Sequence, residues 1–131
     1  MSAPRTPTTP RVVRDWAVQL CLEARFETLV DDARLCVSEA VANAVTHTRT
    51  TLVIADLTLR AHDIIVSVYD DSPLPVPLPG GLYSEEERGR GLHIVEQLSA
   101  QWGTTFFGGF PVTGKAVWFR LEEGERRDAC N

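Results

Sequence analysis

The chain has 131 residues, 44% of them hydrophobic and 24% charged, with a formal net charge of −5. This suffices for one globular domain with a sizeable core, while the acidic balance and the lack of a long basic run exclude a phosphate-tracking nucleic-acid surface. No apolar run approaches the roughly 18 residues of a membrane span and the opening MSAPRTPTTPR lacks the apolar centre of a secretory signal, so a cytoplasmic protein with no membrane partner is expected.

In chain order, residues 1–9 are rich in Pro and Thr and are expected as a flexible leader. From Pro10, which suits a helix start, the spacing of Val12, Val13, Trp16, Ala17, Leu20 and Cys21 predicts a helix ending near Phe26. A second helix is predicted from Leu29 to about Thr46. Asp31 and Asp32 in its first turn are favourable against the helix dipole, and Ala33, Cys36, Val37, Ala40, Val41 and Ala44 form one buried stripe. Residues 48–51 break the pattern, and the period then changes to two. Residues 52–59 and 64–69 read as neighbouring strands joined by a short polar turn that includes His62.

The stretch 70–81 holds four of the eight prolines, at alternate positions. Such spacing builds neither ladder nor helix and predicts an extended loop, continued by the charged residues 84–88. Gly89-x-Gly91 then opens a helix with Leu92, Val95 and Leu98 inward, closed by Trp102 and Gly103. Residues 104–107 and 116–121 are predicted strands, and 124–131 a frayed tail. The order defines an α+β protein: a two-layer α/β sandwich whose mostly antiparallel sheet carries its helices on one face, with a single domain over 10–123. Cys21, Cys36 and Cys130 match neither a zinc spacing nor a disulfide framework, and no chemistry is assigned to them.

Three places carry candidate chemistry. Glu39 and Asn43 are four residues apart on one face of the second helix, beside its apolar stripe and not opposite it. A polar pair there is costly unless something polar meets it, although a half-solvated helix shows such pairs too. Asn43 offers an oxygen to Mg²⁺, and Glu39 can orient or deprotonate a hydroxyl nucleophile. Asp70, at a strand end, can accept a hydrogen bond from an exocyclic amine, or simply cap the following turn with Ser72. Gly89 and Gly91 before a helix suit a phosphate, and a tightly packed capped turn explains them equally well.

The order E-x-x-x-N, then D-x-S, then G-x-G-L-x-I-V is more specific than any part of it. It resembles the ATP-binding domain of the GHKL superfamily, which includes gyrase and the histidine kinases. More closely, it is similar to the stand-alone anti-sigma-factor serine/threonine kinases, over nearly the whole chain. The likeness is strongest in VSEAVANAVTHT (37–48), VYDDS (68–72), RGRGLHIVEQL (88–98) and GKAVWFRL (114–121). The resemblance implies ATP and Mg²⁺ as cofactors, with Asn43 on the metal and Glu39 as catalytic base. It implies Asp70, beside Ser72, at the adenine amine, and Arg88, Gly89, Arg90, Gly91 and Leu92 around the phosphates under a lid formed by the proline-rich loop. It also implies two partners, a sigma factor and an antagonist protein phosphorylated on serine, and a possible homodimer paired through the sheet and first helix, with Trp16 and the exposed edge of the last strand as candidate contacts. His47 and His93 are read as structural or substrate-facing.

The chain departs from the family pattern at two places. Ser72-Pro73-Leu74 stands where the adenine box usually has G-x-G, and Gly114-Lys115 where many relatives have G-T. These departures support an alternative, a catalytically weak or inactive module that only sequesters a protein partner.

Overall fold

A computed structural model describes residues 1–47, 51–71, 85–108 and 113–124, with residues 47 and 85–91 described by backbone alone. Helix α1 spans Thr9–Glu23, a 3₁₀ turn Glu27–Leu29 and helix α2 Val30–His47. Strands β2 (Leu52–Leu59) and β3 (Asp63–Asp70) follow, then helix α3 (Glu85–Leu98) and strands β4 (Gln101–Phe107) and β5 (Gly114–Glu122). The strands form one antiparallel sheet in the order β1-β2-β3-β5-β4, where β1 is Ser2–Pro4.

Strand β1 corrects the expectation of a loose leader over residues 1–9. Ala3 faces the core opposite Val53, and the backbone N–H of Ala55 donates to Met1 O at 2.7 Å. Pro4 is tolerated because an edge strand has N–H positions that need no ladder partner. The segment is then tied to α1: the buried Thr9 hydroxyl donates to Pro4 O at 2.5 Å and accepts from the Thr6 N–H at 2.9 Å. Arg5 reaches the other way, its Nε donating to Val45 O at 2.9 Å, a cation at the negative end of α2.

The core lies between the sheet and the helices. Val13, Ala17 and Cys21 of α1 and the α2 stripe from Ala33 to Ala44 pack with Val53, Ile64, Val66, Val68, Phe119 and Leu121, and α3 adds Val95. Register explains the layering: Ile64 pairs with Leu121, Val66 with Phe119 and Val68 with Val117, so one row of side chains faces the helices across both central strands. The alternate row, with Ile65, Ser67 and Trp118, lies on the face away from this core and is only half-buried. Opposite Trp118, Gly103 lets the indole lie against the β4 backbone, since a Cβ there would meet the ring at 2.9 Å and force it to shift.

Two expected boundaries shift. Trp102 and Gly103 do not close α3 but belong to β4, since Ser99 already ends the helix with its N–H on Val95 O and Ala100 donates to Arg120 O to begin the ladder. The last strand has no exposed edge, because β5 is paired with β3 on one side and β4 on the other. Trp16 packs against the core cluster as a partly buried residue. The dimer contact expected at that strand edge is therefore not available there.

At the far end of the sheet, the turn from β2 to β3 is closed by Asp63. Its carboxylate accepts from Arg60 Nε at 2.6 Å and from Arg120 Nη1 at 3.2 Å, joining the β2–β3 turn to β5. The hydrogen bond from Arg60, then that from Arg120, holds the Asp63 carboxyl below the usual carboxylate range, against the opposing effect of burial. A depressed folded-state pKa contributes stability above the unfolded value, near pH 4, that is lost as pH falls through the folded value. Asp63→Asn is therefore expected to flatten the acid limb of the stability profile below about pH 4. Urea midpoints measured across that range test it. An acid limb identical to the wild type would refute it.

Candidate functional site

The site is built from the C-terminal half of α2, the end of β3 and the part of β5 beside it, with α3 flanking. Helix α2 packs against β3, β5 and α3. The helix forms because small apolar residues recur at helical spacing, and with Ala40, Val41 and Ala44 buried, Glu39 and Asn43 come to lie half-buried at the rim of that stripe. The structure thus keeps the two on one face, a turn apart, as the spacing predicts.

Asp70 ends the inward row of β3 and is a buried carboxylate, 2% exposed at its side chain. Across the ladder it faces Val53 of β2 and Lys115 of β5. Lys115 Nζ lies 2.5 Å from Asp70 Oδ2, and its own side chain is 13% exposed. Gly114 makes the approach of β5 possible, since a Cβ there would sit 2.8 Å from the Asp70 carbonyl oxygen. The sequence marks Lys115 as a departure from the family pattern. The ion pair itself needs the register of β3 on β5, which no local signal gives.

The glycine pair is placed differently from expectation. Helix α3 starts at Glu85, so the backbone of Arg88, Gly89, Arg90 and Gly91 is helical and the glycines do not open the helix. Glu85, Glu86, Glu87 and Arg88 are good helix formers, and acids in a first turn are favourable against the dipole, which outweighs the roughly 1 kcal/mol cost of each glycine. The free N–H groups of the helix start accordingly belong to the charged segment. Leu92 is half-buried on α3 and His93 is exposed. Ser72 and most of the expected lid, residues 72–84, lie outside the described residues, as do residues 125–131 of the expected tail.

Among the described residues, neither cysteine is a thiolate nucleophile. Burial raises the Cys21 thiol, and burial followed by the nearby Asp32 charge pushes Cys36 up to about 12, so both stay protonated. Among the described residues, no group of three or more His, Cys, Asp or Glu stands together to hold a metal. Mg²⁺ needs no such cage, because it takes one or two protein oxygens and completes its shell with phosphates and water. Glu39 and Asn43 supply hard oxygens of that kind, and the Asp70 carboxylate already accepts from an N–H⁺ donor, so the donor set fits a nucleotide and its metal.

An antiparallel sheet covered by helices on one face, with a polar pair on α2 and a buried acid at a strand end, makes the chain an α+β sandwich. The family model of the histidine kinase-like ATPase domain matches residues 3–104. The chain belongs to this family. The match runs from β1 into β4 and so includes Glu39, Asn43, Asp70 and 88–92, while β5 with Lys115 lies beyond it. An ATPase-type domain implies ATP as its ligand. No curated protein matches the chain. No helix among the described residues is long and apolar enough to cross a membrane.

Proposed function

We propose that the chain is a cytoplasmic protein serine/threonine kinase of the anti-sigma-factor type, which uses ATP and Mg²⁺ to phosphorylate a serine of a separate antagonist protein and sequesters a sigma factor. The observation that carries this reading is the placement of Glu39 and Asn43 together at the rim of α2, half-buried and one turn apart, inside the ATPase-family match. Glu39 accepts the proton of the incoming serine hydroxyl as that oxygen bonds to the γ-phosphorus and the bridging oxygen leaves with ADP. Asn43 supplies a neutral oxygen to Mg²⁺, which when bound neutralises phosphate charge. Asp70 accepts from the exocyclic amine of the base. Residues 88–92 contact the phosphates, and because they lie in the first turns of α3, that contact requires those turns to open around the two glycines.

Titration calorimetry with ATP, with and without Mg²⁺, tests this on the wild type and on Asn43→Ala. Binding in the micromolar range that needs Mg²⁺ and is lost in the variant is expected. No heat and no thermal shift at millimolar ATP would sink the kinase reading. The ion pair between Asp70 and Lys115 favours a second reading, a sequestering module with weak or absent catalysis, since the carboxylate meant for the base is already engaged. Phosphotransfer to an antagonist serine separates the two: sequestration without transfer supports the module.

A further inference from the structure

Lys115 is the only lysine in the chain, against twelve arginines. Among the described residues, Arg14 with Asp15 and Arg34 with Asp31 pair with exposed acids, while Arg60 and Arg120 share the buried Asp63 at the far end of the sheet. Lys115 instead extends along the inward row of the sheet, behind Val117, and places its ammonium on the carboxylate at the end of β3. The close approach of Gly114 to the Asp70 carbonyl fixes the two strands at this point, so the pairing is set by backbone and not by a loose side chain. A guanidinium is a planar fork that demands width, whereas an ammonium is a compact point charge on a flexible stem. The chain's one lysine thus puts a compact donor on a carboxylate buried at a strand end.

An ammonium against a buried carboxylate presents what an exocyclic amine of a nucleobase presents, N–H groups aimed at carboxylate oxygen. We propose that Lys115 is a built-in competitor for the base-recognising carboxylate. In the nucleotide-free chain its ammonium occupies Asp70, and a nucleotide binds only as far as its base displaces that ammonium toward solvent. The residue thereby lowers nucleotide affinity and sets the ATP concentration at which the site fills. This rests on the reading of Asp70 as the base contact given under the proposed function. Burying a carboxylate without a partner is costly, and exchange of the ammonium for the base amine keeps a donor on Asp70 as the base enters. A neutral amine is the weaker of the two donors to a carboxylate.

The test is calorimetry of Mg·ATP on the wild type, Lys115→Thr and Asn43→Ala, with the single lysine ammonium followed by ¹⁵N NMR in the wild type. Lys115→Thr is expected to bind ATP roughly tenfold more tightly than the wild type. The wild-type ammonium resonance is expected to move toward that of a solvated lysine on saturation. Equal or weaker binding by Lys115→Thr, with binding still abolished in Asn43→Ala, overturns the competitor while leaving the nucleotide site standing. Absence of binding in both the wild type and Lys115→Thr at millimolar ATP overturns both. Should Lys115→Thr fail to fold, the wild-type spectrum decides alone, and an ammonium unchanged at saturation refutes the proposal.

Discussion

Glu39→Ala is expected to lower phosphotransfer to the antagonist serine by about 10²–10⁴-fold, the range typical of a lost general base. ATP affinity should change little, because the base acts on the acceptor hydroxyl and not on the nucleotide. Fold should also survive. Glu39 is half-buried at the rim of α2, the stripe of Ala40, Val41 and Ala44 beneath it stays filled, and alanine is the better helix former. Transfer of labelled phosphate, measured beside calorimetric binding of ATP and of the protein partner, separates chemistry from binding. Full transfer by Glu39→Ala would remove Glu39 as the base. Loss of transfer and partner binding together, with a lowered melting temperature, would mean that the substitution damaged α2 instead.

Phe119→Ala is expected to cost about 3–5 kcal/mol, comparable to much of the roughly 5–15 kcal/mol by which a domain of this kind is stable. Phe119 is fully buried at 0% exposure and lies at the centre of the sheet, opposite Val66 on β3 and Trp102 on β4. It sits in the helix-facing row, so truncation opens a cavity that neither neighbouring strand can close without breaking its ladder. Urea unfolding gives the value directly. A loss below about 1 kcal/mol would contradict the close-packed site that the layering implies.

These two residues differ in how legible they were. The placement of Glu39 follows from local sequence: the four-residue spacing to Asn43 and the apolar stripe beside it are helical facts, set by 3.6 residues per turn whatever the helix packs on. The central strands were legible for the same kind of reason, since alternation over 52–59 and 64–69 reports one buried face directly. The two-layer α+β order followed from those periods in sequence. The start of α3 was not legible, because two glycines read as a break while the preceding glutamates and arginine favour helix, and the balance went to the glutamates.

Pairing partners were hidden as well. Residues 2–4 carry no strand signal, and they become β1 only because β2 offers an open edge more than forty-five residues away. The last strand looks like an edge in a linear reading, yet it lies inside the sheet because β4 returns to its far side.

The Asp70–Lys115 pair is the most consequential feature of this second kind. The sequence by itself determined the family-like order of motifs, the helix face that bears Glu39 and Asn43, the buried strand ending in Asp70, and the presence of a lone lysine. Only the tertiary structure decided that the lysine meets the carboxylate, because antiparallel register brings residue 115 opposite residue 70 and Gly114 lets the two backbones close. Local periodicity fixes which way a side chain points. What it meets there depends on strands distant in sequence, and a one-residue slip of β5 would have turned Lys115 to the opposite face.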